Sequence, residues 1–474
     1  MRRRLFPSAL LTAFAILFAA CTSPITNGNL EDQIATSVAA TLQAQGLPAQ
    51  TEPTAAPLDG EVLPQGSYGD CANSGQLSLA YISSGSVWLW VQGGAKTQLT
   101  DSGDAWDLRI SEDGCRIAYA KAVPNPAYDP DEEFPLEQTV NELWVVRSDG
   151  SGNQKLAGVE FYANLPSATV TSAYTLYQFE WRPGSHQVAF STRMMFSGPG
   201  LAPTNDIHLV DADALTLTTV RAPGEGGWFT FSHGGEQLAF STPESINLVN
   251  ADGSNPRLDL VIFPLVLTYS EYFYTPPIHW LEDDTALMVA IPPEDGLAPA
   301  TNGVFPQTSI WQVPLDGSPG VQLASVQNVF FAMEKVQFSP DGSRIGYLRP
   351  VDPTTNQREL VVSNSDGSAE AEPLQLPEVV FEVWAADSNR YIYSYRDPGF
   401  HLFLGSADSP NVQSISTLTA FEAEIADIVW VEGSTFILEL KGPAGTELSV
   451  MDTSGSGALV ETFVDFHTPL DFAY

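Results

Sequence analysis

Basic residues are scarce in this chain. Of 474 residues, Lys and Arg supply 20 against 57 Asp and Glu, a formal net charge of −37. So acidic a body repels phosphate backbones, which argues against nucleic acid as a partner. It is also repelled by an anionic membrane surface. Cationic partners and divalent ions remain compatible, and acidity alone keeps an exported protein soluble. Charge of either sign is sparse, at 16% of residues. That excludes long solvated helices as the main architecture, and 37 Gly with 35 Pro point instead to many short strands and turns.

Chemical motifs are missing as well. Cys21, Cys71 and Cys115 are the three cysteines, with no C-x-x-C and no Cys/His metal spacing. His186, His208, His233, His279, His401 and His467 are scattered and read as structural. There is no G-x-S-x-G elbow, no phosphate-binding loop and no dinucleotide fingerprint. Asp129–Glu133 (DPDEE) lacks the Gly and the spaced oxygens of an EF-hand loop. Calcium is conceivable there, but a solvated acidic loop is the expectation, and no cofactor is implied.

Long apolar runs are absent except at the start. Arg2, Arg3 and Arg4 precede Leu5–Ala20, too short to span a bilayer and suited to a signal peptide. The run ends Leu17-Phe18-Ala19-Ala20-Cys21. This resembles the bacterial lipoprotein signal, with Phe18 where Leu is usual. The resemblance implies a diacylglycerol on Cys21, and two acyl chains give stable anchoring. The alternative is an ordinary secretory signal followed by a chance Cys. Residues 1–20 are thus expected to be a signal and 21–65 a tether. Within the tether, Leu30–Gln45 is expected to form one short helix with Asn29 as its N-cap candidate and Gly46 as its end, followed by a Pro-containing spacer. The chain is expected outside the cell, anchored to the outer face of the cytoplasmic membrane.

The remainder, 66–474, is repetitive. Seven segments share one pattern: Ile110–Tyr119, Trp181–Phe190, Phe231–Phe240, Trp280–Val289, Phe338–Tyr347, Trp384–Tyr393 and Trp430–Glu439. Each has a large apolar anchor, a polar turn, and an apolar residue seven positions on, such as Ile117, Val188 or Ile345. That is a β-hairpin, and a third and fourth strand follow each one. Anchors recur 46 to 71 residues apart. Four-stranded units at this period pack radially as propeller blades. Phe338-Ser339-Pro340-Asp341-Gly342 followed by Ile345-Gly346-Tyr347 resembles the repeat of TolB-type propellers, and Phe231–Phe240 is a second good match. The resemblance covers about residues 105–465 and implies an all-β fold and a role in envelope protein–protein interaction. It specifies fold far better than function.

Leu77–Ser83, Val87–Val91 and Thr97–Thr100 read as three strands of a further unit. Its first strand comes either from Gln65–Cys71 or, preferably, from Thr468–Tyr474, which would close the ring. The expectation is therefore a single propeller of eight four-stranded antiparallel blades, with seven as the alternative. Cys71 and Cys115 then fall on one face of neighbouring blades, where a disulfide and two buried thiols are both open readings, the disulfide favoured.

Up-and-down strands place the one-to-two and three-to-four turns on one face and all other connections on the opposite face. The long insertions, Ala122–Val140, Thr192–Asn205, Ile291–Thr308, Gly158–Thr175 and Val261–Pro276, all belong to that opposite face. Long loops on a rigid scaffold carry function. Their aromatic and acidic residues, Tyr128, Phe134, Phe161, Tyr162, Tyr174, Glu271, Tyr272, Phe273, Tyr274 and Phe305, form the candidate binding face. Such a face suits a protein, peptide or glycan. No catalytic residue is assigned. The rival reading is an enzyme of lyase, lactonase or glycosidase type, with carboxylates from several blades meeting at the channel mouth.

Overall fold

The computed structural model describes residues 68–473 except 70, 73, 134, 166–171, 197–204, 269–271, 294–306, 328–335, 353–356, 419–423, 443–444 and 464–469. The expected signal, Cys21 and the tether lie outside the described residues. So do Phe134, Glu271, Phe305 and the side chain of Tyr272.

Every repeat folds as an antiparallel meander whose strands are ordered as in the sequence. Blade two, for example, is Ala105–Ile110, Arg116–Pro124, Thr139–Arg147 and Gln154–Ala157. The first strands of blades three to eight are Ser172–Trp181, Trp228–Phe231, Ile278–Trp280, Gln337–Phe338, Val380–Trp384 and Glu424–Glu432. Blade one is composite. Ser78–Ser83, Ser86–Val91 and Thr97–Gln98 are completed by the C-terminal strand Leu470–Ala473, in register Ser78 to Ala473 and Tyr81 to Leu470. The count is eight, and the C-terminus supplies the closing strand.

Blade six departs from the others. It has three strands, and its fourth position is held by a bridge between Leu360 and Leu374. Pro373 and Pro377 flank that segment. Lacking N–H donors, they prevent it from running as a full ladder strand.

The core explains why second strands are apolar on both faces. In Arg116–Pro124, Ile117 and Tyr119 pack toward blade one while Ala118 packs toward blade three. Eight clusters of buried residues fill the eight blade-to-blade interfaces. One joins Leu79, Tyr81 and Leu470 of blade one to Ile437, Leu448 and Phe463 of blade eight, so the ring closes through packing as well as strand pairing. The short turns follow local chemistry. In Asp149-Gly150-Ser151, Gly150 takes φ +82°, open to Gly without Cβ strain, and the Asp149 carboxylate accepts the Ser151 N–H at 2.9 Å.

The two-to-three loops are partly strand. In blade two the second-to-third pairing runs out to Pro124 with Thr139, and in blade three the second strand runs on to Phe196, paired there with Ser172 of the first strand. The Ala122–Val140 insertion is therefore shorter than expected, because its flanks continue the ladder.

Candidate functional site: an aromatic rim over a charged channel wall

The anchors and the residues just before them set the inner wall. The Trp181 indole donates to the Arg109 carbonyl of the preceding blade at 2.9 Å, and Trp384 does the same to Gln337 at 3.0 Å. Contacts in the other direction use carboxylates. Asp471 accepts the Ile110 N–H at 2.9 Å, and Glu180 accepts the Phe231 N–H at 3.3 Å. Gln178 brackets Phe229, donating to its carbonyl at 2.6 Å and accepting its N–H at 3.2 Å. First strands are thus laced to one another, as the innermost strands of a ring must be.

Charged first-strand residues lie in blades one to three and again in blades seven and eight, where Glu382 and Asp427 stand. Arg109 pairs with Asp107 at 2.9 Å, and its guanidinium lies 5.6 Å from the Phe179 ring centre. Burial pushes the Glu180 carboxyl up to about 7, against the Phe231 amide and the Thr230 hydroxyl, which favour its anion. Burial likewise pushes Asp471 up to about 6, opposed by Arg109 and the Ile110 and Phe472 amides.

Above this wall, where the first strands begin on the loop face, three aromatic side chains stand in solvent. Trp106, Tyr177 and Trp228 are 45%, 41% and 41% exposed. They sit in consecutive blades. The ladder slips between Ala105 and Asp107 and again between Leu176 and Gln178, so Trp106 and Tyr177 are each the extra residue of a β-bulge. A bulge leaves its residue unpaired and redirects the side chain out of the alternating pattern. Trp228 opens its strand without a bulge, after Gly226 and Gly227. A Cβ at Gly227 would collide with the Ser241 carbonyl, so the chain reaches Trp228 only through Gly. The Trp106 indole donates to Asn141 Oδ1 at 2.9 Å. The Tyr177 and Trp228 ring centres are 6.1 Å apart at 83°, and the Arg193 guanidinium lies 5.5 Å from the Tyr177 centre.

The loop aromatics expected to form the binding face fare differently. Tyr162 and Tyr174 are each 3% exposed and belong to the core between blades two and three, which corrects their assignment as surface residues. The cause is local. Tyr174 lies inside the lengthened strand Ser172–Trp181, and the one-turn helix Val159–Tyr162 seats the Tyr162 hydroxyl on the Asn141 carbonyl at 3.0 Å. Phe161 packs against the same core and edge-on to His208 at 4.9 Å. Tyr128, Phe273 and Tyr274 are half-buried. The rim residues were missed by sequence reasoning, although a signal existed. An aromatic stands four, four and three residues before the anchors Ile110, Trp181 and Phe231.

The short-turn face carries a second cluster. His186 lies between Asp113 and Asp213, at 2.9 and 2.7 Å, and Arg116 pairs with Asp213 at 2.9 Å. Beside it Cys71 and Cys115 are joined in a disulfide. Gly69 N–H donates to Asp113 at 2.7 Å, and the Tyr68 hydroxyl donates to Glu112 at 2.8 Å. Two open clefts of about 560 and 650 Å³ share Arg182, Gly234 and Glu236 on this face. Among the described residues no three His, Cys, Asp or Glu side chains are grouped to hold a metal ion.

No family model and no curated protein matches the chain. Solved structures do match. TolB from Acinetobacter baumannii is 13% identical over 82% of this chain and 78% of its own, with a TM-score of 0.35. The β-propeller domain of the trilobed protease from Pyrococcus furiosus is 10% identical, covering 77% of this chain and 100% of that one, with a TM-score of 0.44. An oligogalacturonate lyase in complex with manganese is 14% identical, covering 68% and 82%, with a TM-score of 0.42. Likeness at this level assigns no activity.

Proposed function

We propose that this protein is a non-catalytic binding module of the cell envelope, held outside the membrane by acyl chains on Cys21, and that it presents its ligand site on the loop face. The observation that carries the reading is the exposure of Trp106, Tyr177 and Trp228 in three successive blades. Aromatic side chains contribute much contact area at little entropic cost, and two of the three stand on bulges that cost ladder bonds. The partner is a protein, a peptide or a glycan of the extracytoplasmic space.

The enzymatic alternative has one observation in its favour. A carboxyl raised to about 7, as at Glu180, is matched to general acid chemistry near neutrality. Yet Glu180 and Asp471 already have structural duties, each accepting a backbone N–H of the next blade. Those bonds account for their positions without a substrate.

The test is a capture experiment from detergent-solubilised membranes. Full-length protein is compared with a Trp106→Ala/Trp228→Ala variant of equal thermal stability. Loss of specific partners from the variant is expected. An unchanged set of partners removes the rim from the binding site. Fractionation of Cys21→Ser tests the anchor, with transfer from membrane to soluble fraction expected.

A further inference from the structure

We infer that the rim takes cationic side chains, so that its ligand is a basic peptide segment presenting arginine or lysine. This deepens the binding-module reading and rests on it.

Geometry comes first. The Tyr177 and Trp228 rings meet at 83°, two walls of a corner with centres 6.1 Å apart. Perpendicular walls offer no flat platform for a sugar ring, but they accept a compact cation, which is drawn to the electron-rich face of an aromatic ring within about 6 Å. The protein's own cations already do this nearby. Arg193 lies 5.5 Å from the Tyr177 centre, and Lys121 lies 4.6 Å from the Trp144 centre in blade two. Trp106 and Trp228 keep exposed surface of the same kind.

Charge points the same way. On the channel wall, Asp107 and Asp471 in blades two and one and Asp427 in blade eight outnumber Arg109, while Glu180, raised to about 7, carries only part of a charge near neutrality. Asp427 repeats the position of Asp107, three residues before its anchor, with the same carboxylate-to-next-amide bond at 2.8 Å. Around them lies a chain of net charge −37, which steers a basic segment inward and repels an acidic one.

Arg193 supplies a test of sign. It is the cation already held over the Tyr177 ring, so it competes with a cationic ligand for that ring and assists an anionic or hydrogen-bonding one. The probe is a capped tri-arginine peptide, titrated into full-length protein at about 0.15 M salt, where long-range attraction is screened. Tryptophan fluorescence and calorimetry report binding. Trp228→Ala and Trp106→Ala should each weaken binding at least tenfold at unchanged melting temperature. Arg193→Gln should strengthen it severalfold. Tri-arginine affinity indifferent to both Trp substitutions, or weakened by Arg193→Gln, overturns the inference. Suppose a neutral oligosaccharide binds in a Trp228-dependent way while tri-arginine does not. The cationic inference then fails and the rim survives as a binding site. If neither probe binds and the capture experiment is also insensitive to the rim, both readings fall.

Discussion

Asp113, in the first turn of blade two, and His186, in the corresponding turn of blade three, face each other across the blade boundary at 2.9 Å. Asp213 takes the other ring nitrogen at 2.7 Å, so two acceptors hold both N–H groups of an imidazolium. Burial opposes that charge, but the bonds to Asp113 and Asp213 outweigh it and hold His186 up at about 9. Both carboxylates lie below their usual range: burial would raise them, and the His186 bond with their other donors prevails. A group whose folded pKa is raised stabilises fully below its unfolded value and loses that contribution as pH climbs through the folded one. The His186 contribution should be complete below about 6.5 and gone above about 9, on the order of 2 kcal/mol. The Asp113 and Asp213 contributions run the other way, present above about 4 and lost in stronger acid. Urea unfolding at pH 6 and pH 9.5 checks this. His186→Gln should flatten the alkaline limb, and an unchanged limb would mean the clamp carries no such charge.

The clamp sits beside a covalent strap. Cys71 precedes blade one and Cys115 ends the blade-two turn, 44 residues apart in sequence. Closing a loop of that length restricts the unfolded chain, worth about 2–4 kcal/mol. Cys71→Ser, or reduction under native conditions, should lower the melting temperature and release the Tyr68–Gly69 segment from Glu112 and Asp113. The readout is a thermal scan with and without reductant, together with proteolysis near residue 70. Equal melting curves would show that the strap bears no load.

Much of this architecture was legible because every blade repeats one physical solution. Anchor, Asx-type turn and a second strand buried on both sides recur at positions readable from Ile110 to Glu439, and the C-terminal strand completes the same pattern in blade one. The site was less legible. Tyr162 and Tyr174 looked like loop aromatics because their strand and helix could not be delimited from composition, and packing took both into the core. Trp106 and Tyr177 lie within first strands, and only a one-residue slip of the ladder turns them outward. The aromatic ahead of the anchor does not by itself settle exposure, since Phe381 stands three residues before Trp384 and is buried, so the exposed rim emerged from the register. The His186 clamp was hidden for another reason: its three groups lie up to 100 residues apart and meet only once blades are packed.

Gly346 offers a sharp test of the packing logic. The equivalent residues in blades two, three and four are Ala118, Ala189 and Ala239, all fully buried. Blade six has Gly because the Phe381 ring of blade seven occupies the space, where a Cβ would overlap it. Phe381 in turn stacks on Tyr391 with centres 5.4 Å apart. Gly346→Ala should therefore destabilise by about 1–3 kcal/mol although it matches blades two, three and four. Adding Phe381→Leu should recover part of the loss, a coupling that a double-mutant cycle measures. Additive effects would mean the two sites do not share that space.

The ring's closure supplies the last prediction. Asp471 lies on the closing strand and accepts the Ile110 N–H of blade two, while Glu180 does the same for Phe231 one blade further on. Both carboxyls are raised by burial, to about 6 and about 7. For a carboxyl the sign is then opposite to the usual case. Its anion is disfavoured in the fold, so stability falls as pH rises through the folded pKa and is regained in mild acid. Glu180→Gln and Asp471→Asn keep an acceptor for the amide and remove the titration. Each should leave stability at pH 3.5, below the unfolded pKa, nearly unchanged and increase it at pH 8, on the order of 1–2 kcal/mol. Asp471→Leu should instead destabilise at both pH values by about 1–3 kcal/mol, because the Ile110 N–H loses its partner. Chemical denaturation of the three variants at the two pH values decides the matter. If Glu180→Gln destabilises at pH 8, the wall does not confine the Glu180 charge, and its place there must come from something other than the amide it holds.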